Sequence, residues 1–127
     1  MRMQSLKRLS ICLLLLPGLM ALAGAAQAQQ PVSLTPSGGA ISPNATVNVA
    51  YTSTTTLVAS GGKPNKGNPY IWTSSSLPSG LALTTSGPSD YDKSCYITGI
   101  PTVTGTISFT VTVKQKSLSA TGSYTIT

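Results

Sequence analysis

The chain contains no histidine and no glutamate, and its only carboxylate side chains are Asp90 and Asp92. A serine nucleophile needs a histidine or lysine base beside it, and no lysine after residue 28 lies in an apolar segment. Zinc sites are built from clusters of cysteine and histidine. Calcium takes about six to eight oxygen ligands, far more than two aspartates on one loop supply. We therefore expect no catalysis, no metal site and no cofactor.

Cysteine is almost absent as well, with only Cys12 and Cys95 in the sequence. Cys12 lies in an apolar run, Ile11 to Ala26, that follows the basic residues Arg2, Lys7 and Arg8 and ends in Ala26-Gln27-Ala28. This arrangement predicts a secretory signal peptide at residues 1–28, cleaved after Ala28. We expect a single domain at residues 29–127, located in the periplasm or outside the cell, with nothing that holds it in a membrane.

Cleavage would leave Cys95 as the sole thiol, which excludes an intramolecular disulfide. A lone cysteine is usually a small buried hydrophobe, but an oxidising compartment also permits an intermolecular bridge. Because Cys95 follows a polar loop, we expect it to be partly exposed. The expected state is a monomer with a minor Cys95-linked dimer.

Charge is scarce too. Residues 29–127 carry five lysines and two aspartates, a balance of +3 that is too weak and diffuse to indicate nucleic-acid binding. Serine and threonine instead make up 34 of these 99 residues. A disordered Ser/Thr stalk would have no reason to place apolar residues two apart, as this chain does from Ile107 to Val113.

Short alternating stretches separated by glycine and proline predict about seven antiparallel strands in an all-β, immunoglobulin-like sandwich. Val32-Ser33-Leu34 is predicted as a first edge strand, and residues from about Thr46 to Ala59 as one long second strand. The inward positions of the remaining strands complete the core. The predicted core comprises Tyr51, Tyr70, Trp72, Leu81, Leu83, Ile97, Ile107, Phe109, Val111, Val113, Tyr124 and Ile126.

Several motifs resemble the bacterial Putative Ig domain family, which is related to dystroglycan-type cadherin-like modules. They are Pro69-Tyr70-Ile71-Trp72, the Leu-Pro-x-Gly-Leu-x-Leu run at residues 77–83, and Ile-x-Gly-x-Pro followed by Gly-Thr-x-x-Phe-Thr-Val-x-Val at residues 97–113. The resemblance covers nearly all of residues 29–127. It implies an Ig-like sandwich that serves as a structural or interaction module on secreted and surface proteins. The calcium-binding carboxylates of cadherin-like relatives are not present here.

Two loops, at residues 63–68 and 87–94, are longer than in this family. In an Ig-like sandwich they lie at the same end as the turn that follows Lys114. The candidate binding residues are therefore Lys63, Lys66, Tyr91, Lys93, Lys114 and Lys116. The opposite end and the strand faces are expected to be almost uncharged Ser/Thr surfaces.

Two functions fit this pattern. The first is a non-catalytic interaction or adhesion module that binds an unknown protein at the cell envelope. The second is a carbohydrate-binding module that stacks exposed aromatic rings on a surface glycan. Sugar binding needs two or three coplanar exposed rings, whereas most aromatic residues here occupy predicted inward positions, so the sequence favours the protein partner. Alternatively, the loops simply carry the charges that keep a Ser/Thr-rich protein in solution.

Overall fold

The computed structural model describes residues 29–127, and the predicted signal peptide lies outside the described residues. Nine short strands follow one another, with one turn of 3-10 helix at Pro88–Asp90. The strands are β1 Ser33–Thr35, β2 Gly38–Ala40, β3 Tyr51–Thr52, β4 Leu57–Ser60, β5 Ile71–Ser75, β6 Leu81–Thr85, β7 Ser94–Gly99, β8 Ile107–Gln115 and β9 Leu118–Ile126. Within residues 29–127 no helix is long and apolar enough to cross a membrane.

The strands form two facing sheets. One sheet contains five strands, in which β4 lies between β1 and β7. Strand β7 also pairs with β3 and with β6. The other has the order β2-β9-β8-β5. All pairings are antiparallel except that of β2 with β9. The predicted all-β, immunoglobulin-like sandwich is therefore confirmed.

The prediction of one continuous strand from Thr46 to Ala59 is wrong. Residues 46–50 are turns and irregular chain, and Val49 is 53% exposed. From Tyr51 onward the chain does run along β7, but β3 and β4 are separated by a bulge. Thr52 pairs with Thr98 and Leu57 pairs with Cys95. The β3–β4 segment therefore advances five residues while β7 advances three, which leaves two extra residues in the bulge. The simple alternation of apolar residues does not reveal the two extra residues.

Buried Ser53 holds this bulge in place. Its backbone N–H donates to the carbonyl of Ile97 at 2.8 Å, and its Oγ accepts from the Ile97 N–H at 2.9 Å. The same Oγ donates to the Thr55 carbonyl at 3.0 Å. Ser53 thus replaces the ladder bonds that the extra residues would otherwise leave unpaired.

The first predicted strand corresponds to β1, in which Leu34 is buried. The chain then changes sheets and forms β2, which the sequence did not predict because Gly38 and Gly39 show no alternation. A Cβ at Gly38 would lie 2.7 Å from the Ser123 carbonyl oxygen, so glycine is needed for the close approach to β9. The seven predicted strands become nine because β2 is an additional strand and the second predicted strand is divided into β3 and β4.

The core lies between the sheets and contains most of the predicted inward residues. Leu57, Val111, Val113 and Cys95 are completely buried. Trp72, expected as the largest core plug, lies on the edge strand β5 and is only partly buried against the core. Leu81, Leu83 and Ile107 are also partly buried, and the other predicted core residues are buried: Tyr51, Tyr70, Ile97, Phe109, Tyr124 and Ile126.

Three buried tyrosines attach connecting segments to this core. The hydroxyl of Tyr51 donates to the Pro43 carbonyl at 2.8 Å, that of Tyr70 to Gly61 at 2.6 Å, and that of Tyr124 to Pro36 at 2.5 Å. Each ring is buried in the core while its hydroxyl satisfies a backbone acceptor, as buried tyrosines usually require. Within the described residues, where Cys95 is the single cysteine, these bonds attach connecting segments to the core, and the bond of Tyr124 joins residues 88 positions apart.

Candidate functional site

The two long loops and the β8–β9 turn lie together at one end of the sandwich, which we call the loop pole (residues 61–70, 86–93 and 115–118). Tyr70 donates its backbone N–H to the Tyr91 carbonyl at 3.0 Å, and the indole Nε1 of Trp72 donates to the Asp92 carbonyl at 2.6 Å. These bonds connect the second loop directly to the start of β5. The loop pole is therefore supported by the sheet beneath it.

Gln115 holds the first loop. This completely buried side chain donates from Nε2 to the carbonyls of Lys63 and Asn68, both at 3.3 Å. Its Oε1 accepts from the Lys63 N–H at 3.2 Å and from the Gln29 side chain at 3.3 Å. Sequence reasoning missed this residue. Because Phe109, Val111 and Val113 point inward, the same alternation places Gln115 inward, and a polar residue there was the available signal.

The second loop is stabilised by its own aspartates. Asp90 Oδ1 accepts from Ser86 Oγ at 2.6 Å and from the Lys93 N–H at 3.3 Å, and Asp92 Oδ1 accepts from Thr85 Oγ1 at 2.7 Å. Tyr91 and Asp92 follow the 3-10 turn with φ angles of 60° and 56°. Both carboxylates thus have structural hydrogen bonds from neutral groups. Within the described chain no group of three or more possible ligand residues could hold a metal ion.

All five lysines are exposed and belong to the loop pole or its border. Lys63 and Lys66 lie on the first loop, and Lys93 closes the second. Lys114 is in register with Ile71 at the start of β5, and Lys116 lies in the β8–β9 turn. Together with Lys114 at its border, the pole therefore presents a net charge of +3 over three chain segments that are fixed to one another.

A cleft of about 470 Å³ lies between the two loops. Tyr91 forms part of its wall and is 39% exposed, and Lys93 lies beside it. The rest of the wall includes Tyr70, Pro64 and the backbone of Gly61. Of the six candidate binding residues, the cleft brings together Tyr91 and Lys93. Lys63, Lys66, Lys114 and Lys116 do not line it.

The opposite end has an uncharged groove, as expected, but the expectation of a Ser/Thr surface there is wrong. It contains an apolar groove of about 400 Å³ whose walls include Val47, Pro78, Leu81 and Val103. Threonines contribute as well, but no charged residue lines the groove. The strand faces do follow the expectation, with cross-strand hydroxyl pairs such as Thr112–Thr121 at 2.8 Å.

The expectation that Cys95 is partly exposed is also wrong. Cys95 is completely buried, because it pairs with Leu57 of β4 on one side and Thr85 of β6 on the other. Burial raises the pKa of its thiol to about 11. A thiolate is the reactive form of cysteine, so the folded chain presents a thiol that is both inaccessible and protonated at neutral pH.

The sequence model of the Putative Ig domain family matches residues 23–127. The chain belongs to this family. Ig-like domains of this family are typically non-catalytic modules of the extracellular type. No curated protein matches the chain.

Solved structures resemble this chain over about three quarters of its length. Two are of an endo-fucoidan hydrolase from glycoside hydrolase family 107. One has 28% identity and a TM-score of 0.52, and the other 18% and 0.54. They cover 72% and 76% of this chain, which spans only 12% and 13% of theirs. Domains 4 and 5 of an S-layer protein have 11% identity and a TM-score of 0.45. The match covers 78% of this chain and 46% of that one.

Two family motifs of this Ig domain meet at a pair of glycines. Gly80 and Gly99 have φ angles of 89° and 138°, and the Ile100 N–H donates to the Gly80 carbonyl at 2.9 Å. A Cβ on Gly80 would collide with the Ile100 carbonyl, and one on Gly99 with the Gly80 carbonyl. The motifs at residues 77–83 and 97–102 therefore require glycine for backbone packing, which is a role in folding.

Proposed function

We propose that this chain is a secreted, non-catalytic Ig module that binds an acidic protein partner through the loop pole, in the periplasm or at the cell surface. The observation that supports this best is the asymmetry of the charges. The two carboxylates of the pole are occupied by hydroxyl and backbone donors, whereas all five lysines project into solvent. Complementary potentials of this kind accelerate association and set specificity.

The rigidity of the pole also supports a binding role. Gln115 fixes the first loop and the Tyr70–Tyr91 bond fixes the second, so the lysines are presented from a preformed backbone. A preformed surface loses less conformational entropy on association than a mobile loop does. Loops that simply maintained solubility would have no need for a buried polar side chain beneath them.

The test compares the native chain with a variant of the same net charge and with a control variant. In the relocated-charge variant, Lys63, Lys66 and Lys93 become glutamine, and Thr104, Thr106 and Ser108 become lysine. A control variant carries only the three new lysines. Retention on immobilised poly-L-glutamate should be strong for the native chain and the control, should fall with added salt, and should be lost in the relocated-charge variant. Equal retention of the relocated-charge variant would show that net charge alone is responsible.

Glycan binding is the second candidate, and the observation that favours it is the cleft with exposed Tyr91 beside Lys93. The similarity to an endo-fucoidan hydrolase adds support at 28% identity, although this chain spans a small part of that enzyme. Affinity electrophoresis in gels containing fucoidan or dextran tests it. If Tyr91→Ala abolishes the retardation and the relocated-charge variant is still retarded, the ligand is a glycan and not an acidic protein.

A further inference from the structure

The edge strand β5 has an open side that neither sheet covers. It pairs with β8 through residues Ile71 to Ser75, and it is the last strand of its sheet. Four of its five residues are exposed, and Ile71 is 57% exposed. An edge of this kind carries backbone donors and acceptors that can pair with another strand.

The backbone geometry identifies which groups point outward. The Tyr70 N–H donates to the Tyr91 carbonyl and is therefore directed away from β8. In an antiparallel ladder alternate residues face the same neighbour, so Trp72 and Ser74 present their N–H and C=O groups on the open side. The second loop meets β5 at the Tyr70 backbone and at the Trp72 indole. Trp72 is partly buried, whereas Thr73, Ser74 and Ser75 are exposed.

β5 also lacks the features that usually protect an edge. Lysine, proline and very short length are the common devices, and β5 is five residues long with neither a charge nor a proline. The other edges differ. β1 and β2 have three residues each and lie between prolines, and most residues of β6 are partly buried. β5 is thus the most accessible and least protected edge in the described chain.

We propose that β5 accepts an extended segment of the acidic partner as an additional antiparallel strand, in a sheet of order β2-β9-β8-β5-partner. The position of the lysines supports this occupant. Lys114 is in register with Ile71, and Lys93 follows Asp92, whose carbonyl accepts from the indole of Trp72. An antiparallel strand brings its carboxyl end to this region. The segment therefore carries acidic residues at its carboxyl end, a feature that rests on the proposed function.

Trp72 provides a built-in reporter, because it is the single tryptophan of the chain and lies on the strand in question. The probe is a synthetic peptide of alternating valine and threonine that ends in two glutamates. A second peptide has the glutamates at its amino end, and a third has glutamines in their place. Binding of the first peptide should shift the Trp72 emission to shorter wavelength, and calorimetry gives the affinity.

The decisive variants are at Ser74. Ser74→Pro removes the outward N–H, and Ser74→Ala keeps it. Loss of that bond and the steric effect of the ring should weaken the first peptide about tenfold or more in Ser74→Pro, with no change in Ser74→Ala. Ser74→Lys serves as a second blocking variant if the proline variant melts at a lower temperature. Binding that survives both blocking variants would overturn strand addition.

The remaining outcomes separate this inference from the proposed function. If all three peptides bind the native chain equally and Ser74→Pro still blocks them, strand addition stands and the acidic partner is wrong. If the peptides do not bind and the native chain instead forms a concentration-dependent dimer that Ser74→Pro removes, a second copy occupies β5. That result would overturn the partner proposed here.

Discussion

At the scale of single residues, the buried polar side chains determine more of the loop structure than the exposed side chains do. Gln115 lies at an inward position of β8, where alternation predicts an apolar residue, and it uses both ends of its amide to hold the first loop. The alternation could have identified it, but only as an anomaly. Its partners are backbone groups 47 and 52 residues away, which no local pattern specifies.

Replacement of this amide tests the support of the loop pole. Gln115→Leu keeps the approximate volume but leaves the N–H and the carbonyl of Lys63 without their bonds to the amide, while the Asn68 carbonyl keeps its bond from the Asn65 N–H. We expect a loss of about 1 to 3 kcal/mol in the free energy of unfolding, and faster amide exchange confined to residues 63–68. Lys114→Gln, one residue away and exposed, is the matched control and should leave stability unchanged. Unaltered exchange in Gln115→Leu would mean that the loop is held by other contacts.

The position of Cys95 within β7 determines the reactivity of its thiol. The sequence placed it next to a polar loop, but β7 begins at Ser94 and is central in its sheet, between β4 and β6. The Cys95 thiol of the folded chain should therefore react with Ellman's reagent only in denaturant. The thiol of a Ser94→Cys, Cys95→Ser double variant is the matched control, because Ser94 is only partly buried. Rapid labelling of native Cys95 would show that the strand opens readily.

At the scale of elements, alternation predicted the later strands well and the first two poorly. β8 and β9 are long, regular and paired over nine residues, so their period is visible in the sequence. β2 and β3 contain three and two residues, too few for a period to appear. Their positions depend on tertiary bonds, such as those of Ser53 with Ile97 across the bulge.

The two motif glycines yield a prediction at this scale. Gly80→Ala and Gly99→Ala each add a Cβ both at positive φ and against a backbone carbonyl. We expect a destabilisation of roughly 2 to 4 kcal/mol for each, because backbone strain and a steric clash act together. Gly105→Ala is the control, since its φ is 97° but nothing lies within 4 Å of the added Cβ. A similar loss in all three variants would assign the effect to the φ angle alone.

At the scale of the whole molecule, the sequence predicted the sandwich and the position of the lysines, but not the chemistry of the opposite end. The lysines were placed correctly by topology, since loops of known order lie at known ends of an Ig-like sandwich. The apolar groove was not predicted because its walls come from four separate stretches, around residues 45–47, 78–81, 101–107 and 126–127. Each stretch taken alone resembles an ordinary turn.

The distribution of buried acids predicts how stability responds to alkaline pH. Burial raises the pKa of Cys95 from 9.0 to about 11, and it raises the pKa of the Tyr51, Tyr70 and Tyr124 hydroxyls above 10.0. A raised pKa means that the unfolded chain loses its proton first. The unfolded state then binds fewer protons, so the free energy of unfolding falls as pH rises.

We therefore expect urea unfolding to give the same free energy at pH 7 and pH 8, and a decrease that begins near pH 9, the ordinary pKa of the thiol. The contribution of Cys95 is fully lost once pH exceeds about 11, while the tyrosines cause a further decline from about pH 10. Cys95→Ala should delay the onset by removing the first group to titrate. A decline that starts at the same pH in native chain and Cys95→Ala would contradict the assignment of the first step to the buried thiol.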